Sequence, residues 1–212
     1  MQQIIVDSDF YTNLKQMKEL FVNLEFVKNE NILGGQICGM QYANQDMLKY
    51  MEHIIGVPQD MDAFEFVPGS GTFVINQENE PPAKNICIQF PDPATQWVGV
   101  VSLSEPEEPH FLKFYKNKKT GWNSIPNDVE ELTKQNLFSM QHVEDFLNHE
   151  NIDWENKWQE STKVELKFNQ LILFRPALFH SYSDVFGDTK ESGRLLQFFF
   201  LKPKQELPTE TE

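Results

Sequence analysis

Apolar residues follow a helical spacing in the first quarter of the chain. One stripe follows the cap candidates Asp7-Ser8-Asp9, and a second ends at Gly56, a residue that favours helix termination. The spacing predicts two helices, the second over 45–55. The stripes consist of Leu14, Met17, Phe21 and Leu24, and of Met47, Leu48, Met51, Ile54 and Ile55.

Short apolar runs bounded by turn residues dominate from residue 63 onward and predict strands. Gly69 and Gly71 in the Pro-Gly-Ser-Gly segment permit positive φ, which is typical of a hairpin turn. The 124–158 segment reverts to helical spacing, with acids after a proline, and reads as a helical insert. The strand-like runs are AFEFVPGSGTFVI, NICIQF, WVGVVSL, FLKFY, VELKF, QLILFR and RLLQFFFL.

Helices at the front followed by many short strands predict an α+β fold with a β-sandwich or jelly-roll core. A chain of 212 residues favours one domain, over 1–203, with a flexible tail over 204–212. Eighteen phenylalanines spread along the chain predict a large aromatic core.

The net charge, the N-terminal sequence and the cysteines exclude some classes of function. The formal net charge is -14, and apart from the KNKK run at 116–119 the sequence shows no basic cluster, so we expect no nucleic-acid or anionic-lipid partner. The N-terminus shows neither a basic signal region nor a membrane-length apolar run. Two cysteines without a CxxC spacing favour reduced thiols, so a cytoplasmic protein is expected.

The segment FNQLILFRPALFHSYSDVFGDTKESGRLLQFFF resembles the C-terminal half of the double-stranded β-helix of iron(II)/2-oxoglutarate-dependent oxygenases. The family pattern there is an apolar strand, a short turn, a metal-binding histidine, a loop, and a strand that begins with arginine. WVGVVSLSEPEEPHFLKFYKNKKTG resembles the family's next conserved block, and IIVDSDFYTNL resembles the opening of an uncharacterised bacterial and phage branch.

The resemblance implies specific roles for two residues. His180 would be the distal iron ligand, and Arg194 would hold the far carboxylate of 2-oxoglutarate through a bidentate guanidinium. Arg175, in the turn before His180, is the second choice for that anchor. Such enzymes hold iron with two histidines and one carboxylate and leave three positions open. Iron(II) and 2-oxoglutarate are therefore the implied cofactors if the protein is active.

The proximal half of that metal motif is missing from AKNICIQFPDPATQWVGVV, which contains no histidine. Cys87 and Gln89 stand where the motif should fall, and they share one face of a strand. Asp92 is the nearest carboxylate. Three alternatives follow: a Gln89/Asp92/His180 ligand set, Cys87 as a thiolate ligand, or a ligand from elsewhere in the chain. The one His-x-acid sequence, His142-Val143-Glu144, is predicted to lie on the polar face of a helix.

Two functions follow from this resemblance. The first is an oxygenase that hydroxylates a small molecule or a side chain, with 76–85 as a candidate lid. The second is a catalytically inactive oxygenase-fold protein, with no metal, that binds a small molecule or a partner protein. A structural role, as a homodimer joined through an aromatic face, is a third and weaker reading. The oxygenase fold makes a further prediction: His180 and Arg194 both point into one cavity, and Cys87 or Gln89 lines that cavity near His180.

Overall fold

The computed structural model describes residues 3–28, 35–78, 86–89, 92–105, 107–182 and 185–204. Its five helices are α1 (Leu14–Val22), α2 (Gln45–Ile55), α3 (Val129–Lys134), α4 (Met140–Glu150) and α5 (Trp154–Lys157). Its eleven strands are β1 (Ile4–Asp7), β2 (Phe26–Lys28), β3 (Gln36–Gln41), β4 (Phe64–Phe66), β5 (Thr72–Asn76), β6 (Trp97–Ser102), β7 (Phe111–Asn117), β8 (Trp158–Glu165), β9 (Leu171–Phe174), β10 (His180–Ser181) and β11 (Arg194–Pro203).

The strands form two antiparallel sheets. The major sheet has the order β1-β9-β6-β11-β5-β3-β2, and β4 also pairs with β11. The minor sheet has the order β10-β7-β8, and an isolated bridge from Cys87 to His180 places residues 86–89 beside β10. From β5 to β11 the chain passes between the sheets in the sequence major, minor, major, minor, minor, major, minor, major. That alternation is a jelly roll of the double-stranded β-helix type, as predicted.

Three hydrophobic clusters hold the layers together. The inner core lies between the two sheets and includes Val74, Val100, Phe114, Phe174 and Phe198. The outer core packs α1 and α2 on the far face of the major sheet, and the insert core packs the helical insert on the far face of the minor sheet. Successive side chains of β11 point alternately inward and outward, so Arg194, Leu196 and Phe198 all point toward the inner core.

In the N-terminal half, α2 spans the predicted residues 45–55. The cap candidates Asp7-Ser8-Asp9 are wrong for α1, because Asp7 ends β1 and the Asn13 side chain caps this helix by accepting from the amide of Gln16. The Asn44 side chain caps α2 by accepting from the amide of Met47, and Gly56 ends this helix with φ of 95°. The insert divides into α3, α4 and α5 rather than one long helix. His142 lies on the exposed side of α4, as predicted for the His-x-acid sequence.

The predicted hairpin at Pro68–Gly71 is wrong. β4 and β5 do not pair with each other, because both pair with β11, at residues 201–203 and 194–198. β4 and β5 instead pair with successive parts of β11 along the same edge, and the turn connects them. Gly69 and Gly71 do have positive φ, 94° and 84°, and a Cβ on Gly71 would lie 2.5 Å from the backbone of Tyr42.

The strand predicted for NICIQF is reduced, in the part that is described, to the single bridge at Cys87. Most of the candidate lid, residues 79–85, and the tail beyond residue 204 lie outside the described residues. Among the helices that are described, none is both long and apolar enough to cross a bilayer.

Candidate functional site

His180 lies at the centre of the inner core and is completely buried. Its Nδ1 is 2.7 Å from the carbonyl oxygen of Leu178, which can only accept, so Nδ1 carries the proton and donates. The Nε2 atom consequently holds the lone pair. Aromatic rings surround the imidazole, with centroids of Phe174 at 4.8 Å and Tyr182 at 5.1 Å. Burial lowers the pKa of His180 to about 4, against a smaller opposing effect of the Leu178 hydrogen bond.

Cys87 is the polar neighbour of the free imidazole nitrogen. Its Sγ is 3.5 Å from Nε2 of His180. The two residues face each other across a bridge with two backbone hydrogen bonds, Cys87 N to His180 O at 2.9 Å and His180 N to Cys87 O at 3.0 Å. The thiol lies within reach of two acceptors, this Nε2 atom and the carbonyl oxygen of His180 at 3.6 Å. Residue 87 thus lies near His180, as predicted, but both residues are buried rather than lining an open cavity.

Gln89 contacts a different group. Its Oε1 accepts a hydrogen bond of 3.1 Å from the hydroxyl of Tyr182, and both residues are buried. Burial raises the pKa of Tyr182 well above its usual value, so the phenol stays protonated and remains a donor. Gln89 is thus already engaged in a neutral hydrogen bond and offers no charge to a metal.

Arg194 points into the same interior from the opposite sheet. It is 1% exposed, its Nη1 donates to the backbone oxygen of Tyr182, and its Nη2 donates to Oδ1 of Asn76 at 2.8 Å. Tyr182 therefore links the two predicted residues, since its ring packs against His180 and its carbonyl oxygen accepts the hydrogen bond from Arg194. Arg175 is elsewhere: its guanidinium lies 3.9 Å over the ring of Trp97 and donates to Gln96 O.

Asp92 does not join this group. One carboxylate oxygen accepts from the amide of Ala94 at 2.7 Å and the other lies 3.5 Å from Nζ of Lys202. Lys202 is eight residues beyond Arg194 on β11, a distance of about 26 Å along a strand. The expectation that Asp92 completes a Gln89/Asp92/His180 set is not met, because its local turn and the Lys202 pair hold it near the other end of β11.

The residues that the structure describes do not fit iron(II) and 2-oxoglutarate. The described residues hold no group of three histidine, cysteine or acidic side chains that could bind a metal. A hard iron(II) site of the oxygenase type requires a carboxylate and a second imidazole, and here a thiol and an engaged amide stand in their places. An imidazole with no exposed surface also has no water-sized space against it, whereas the implied cofactors need three open metal positions.

Tyr182 and Asn76 are the two members of this cluster that the sequence does not single out. Neither an aromatic residue two positions after a histidine nor an asparagine at a strand end is a distinctive signal. The predicted pair, His180 and Arg194, is found on the inward faces of opposing sheets, but within a packed core rather than around an open cavity.

No protein-family model matches the chain, and no curated protein matches it. Among solved structures, HygX from Streptomyces hygroscopicus with nickel and 2-oxoglutarate bound is similar at 13% identity and a TM-score of 0.48, covering 99% of this chain and 88% of that one. The apo Kdo hydroxylase KdoO, a non-heme Fe(II) alphaketoglutarate dependent dioxygenase, is similar at 10% identity and a TM-score of 0.46, covering 94% and 79%. Both scores lie below 0.5, and the double-stranded β-helix assigned above rests on the strand order of this chain.

Proposed function

We propose that this chain is an oxygenase-fold protein that does not carry out iron(II)/2-oxoglutarate chemistry and acts by binding. The observation that carries this proposal is the environment of His180. Its free nitrogen faces the thiol of Cys87, aromatic rings close around it, and it has no exposed surface. One imidazole and one thiol do not hold iron(II) strongly, because that ion prefers the harder histidine–carboxylate set.

The position of the cosubstrate supports the same proposal. A dicarboxylate that paired with the Nη edge of Arg194 would have to replace the hydrogen bonds that these atoms donate to Tyr182 O and Asn76 Oδ1. Binding would have to replace both hydrogen bonds and open the packing around Tyr182, which is 2% exposed. The two Nη hydrogen bonds join β11 to β5 and to the loop after β10.

A cavity on the opposite face of the major sheet offers a site for binding. It has a volume of about 400 Å³ and lies between α1, β2 and the outward face of β11. Its walls are apolar, and include Phe21, Phe26, Leu103, Phe168 and Leu195, while its polar residues are Ser104, Glu105, Lys190 and Glu191. This size and lining are those of a small-molecule pocket, and the aromatic walls favour a flat apolar ligand.

The iron question is tested by anaerobic titration of the purified chain with iron(II) and 2-oxoglutarate. An assembled site produces a visible metal-to-ligand charge-transfer band, and the proposal expects none at high protein and metal concentrations. His180→Ala is the matched variant. A band in the original protein that is lost in His180→Ala would refute the proposal.

The cavity is tested with an apolar fluorescent dye, 1-anilinonaphthalene-8-sulfonate. Phe26 lines the cavity, whereas its neighbour Val27 is 62% exposed. Phe26→Ser should weaken dye binding roughly tenfold, since a lost aromatic contact is worth about 1.5 kcal/mol. Val27→Ser should leave it unchanged, and equal affinities in the two variants would rule out this cavity as the binding site.

A second candidate is an active oxygenase, and one observation favours it. His180 and Arg194 lie on the inward faces of opposing sheets with Tyr182 between them. Activity would require Tyr182 to move out of the interior. The same titration separates the two candidates, and release of succinate from 2-oxoglutarate would be the direct sign of turnover.

A further inference from the structure

A groove lies at the C-terminal end of α2, against the outer core of the major sheet. Its volume is about 400 Å³, which is within the range of small-ligand sites. Of the described residues, none lines both this groove and the cavity beside α1 and β2. The walls are mainly apolar and include Ile55, Val57, Met61, Phe64 and Trp97.

Hydrogen bonds hold the walls of this groove in place. The buried carboxylate of Glu52, on α2, accepts from the amides of Ala63 and Phe64, both at 2.8 Å. The amide of Met61 donates to the carbonyl oxygen of Pro58 at 3.0 Å, and the residue remains 53% exposed. A ligand would therefore meet exposed apolar surface in a groove that already has its shape, which lowers the entropic cost of binding.

Arg175 is the one charged side chain among the described residues that line the groove. Its guanidinium lies 3.9 Å over the ring of Trp97, and its Nη1 donates to the carbonyl oxygen of Gln96 at 3.0 Å. Burial lowers the pKa of Arg175, but an arginine keeps its proton at physiological pH. The groove thus carries a positive charge that is partly removed from water, where its attraction for an anion is stronger.

The charge and the apolar walls together define the ligand. A guanidinium pairs with a carboxylate through parallel hydrogen bonds, and the walls favour an apolar chain. The net charge of -14 opposes loose adsorption of anions over the protein surface, so a carboxylate that binds requires a local cation. A small anion would gain little from the walls, and a cationic chain would be repelled by Arg175.

We propose that this groove binds a monocarboxylate with an unbranched apolar chain. The carboxylate pairs with the guanidinium of Arg175, and the chain covers Phe64 and the exposed side chain of Met61. The proposal adds a second binding site to the function proposed above and does not depend on the cavity beside α1 and β2.

The experiment is equilibrium dialysis with radiolabelled decanoate. The original protein should bind one equivalent, and Arg175→Gln should bind at least tenfold more weakly, because the hydrogen bonds to a charged partner are lost. Lys15→Gln removes one positive charge from an exposed position of α1 and is the matched control. Phe26→Ser alters the other cavity, and both control variants should bind like the original protein.

Competition with unlabelled ligands tests the two parts of the proposed ligand. Decyltrimethylammonium has the same chain with the opposite charge, and acetate has the carboxylate without the chain. Both should displace decanoate at least tenfold less effectively than unlabelled decanoate does. No saturable binding, equal affinity in Arg175→Gln, an equal loss in Phe26→Ser, or equal displacement by either competitor would each overturn the proposal.

A second measurement uses the unaltered protein, in case Arg175→Gln does not fold. Arg175 and Arg194 are the only arginines of the chain, and Arg194 is 1% exposed, so phenylglyoxal should modify Arg175 first. Decanoate should slow this modification at least fivefold, followed by peptide mass spectrometry, and acetate at the same concentration should not. Equal rates with and without decanoate would contradict the site. Neither measurement contains iron(II) or the fluorescent dye, so a failed carboxylate site and a failed binding function give different results.

Discussion

Acid should destabilise this protein through His180. The pKa of this imidazole is lowered to about 4 in the folded protein, mainly because burial disfavours the charged form. An exposed histidine in the unfolded chain has a pKa of about 6.5. Between these values the unfolded chain binds the extra proton, so the free energy of unfolding falls as the pH falls from 6.5 towards 4 and is unaffected above 6.5.

The size of the effect follows from the two pKa values. Between pH 7.5 and pH 5 the linkage amounts to about 2 kcal/mol, and the full difference amounts to about 3 kcal/mol once the pH is below 4. Most carboxyl groups titrate below this window, so the interval from pH 6.5 to pH 5 isolates the histidine most clearly.

The assay is urea unfolding at a series of pH values in the original protein and in His180→Leu. The variant has a lower stability throughout because the Leu178 carbonyl loses its donor. Its stability should nevertheless change less between pH 7.5 and pH 5, by about 2 kcal/mol. Parallel curves for the two proteins would refute the closed, neutral environment assigned to His180.

Three further substitutions, with Gly69→Ala as a control for the first, test the fold around the site. Gly71→Ala should lower the free energy of unfolding by more than 2 kcal/mol, because the added Cβ meets backbone 2.5 Å away, whereas Gly69→Ala, with a similar φ but open space, should cost about 1 kcal/mol in thermal unfolding. Arg194→Lys should cost about 3 kcal/mol by urea unfolding, since one ammonium cannot reproduce two guanidinium hydrogen bonds, and a cost below 1 kcal/mol would contradict its buried role. Tyr11→Phe should cost about 1 to 2 kcal/mol, because the buried Oε1 of Gln197 loses its donor, and an unchanged unfolding midpoint would contradict that bond.

The strands that are buried on both faces could be predicted from the sequence, because such a strand consists of a continuous apolar run. β6, β9 and β11 are such runs, and each falls where the sequence predicts it. β8 is predicted only at its end, because most of its residues are polar and exposed. β2, at the edge of the major sheet, and β3, beside it, gave no signal for the same reason, since most of their residues are not buried.

Pairing partners depend on contacts that are distant in the sequence. The Pro-Gly-Ser-Gly segment has the composition of a hairpin turn, and its positive φ values were predicted correctly. β4 and β5 nevertheless pair one after the other with the same edge of β11, which lies about 130 residues further along the chain. The residues of a turn give no information about a pairing partner so far away in the sequence.

The candidate site, like the fold, could be predicted only in part. The resemblance of the His180–Arg194 segment predicted two buried residues that the fold brings to one interior. It did not predict that Tyr182 would fill the space between them, because the filling depends on how two sheets pack. The sequence has no histidine at the proximal position, and in the structure Cys87 lies beside His180.

The central claim is that this double-stranded β-helix does not assemble an iron(II)/2-oxoglutarate centre. The most direct measurement is the anaerobic visible spectrum of the protein with both cofactors, compared with His180→Ala. The account predicts identical spectra without a charge-transfer band. A band that appears in the original protein and disappears in His180→Ala would contradict it.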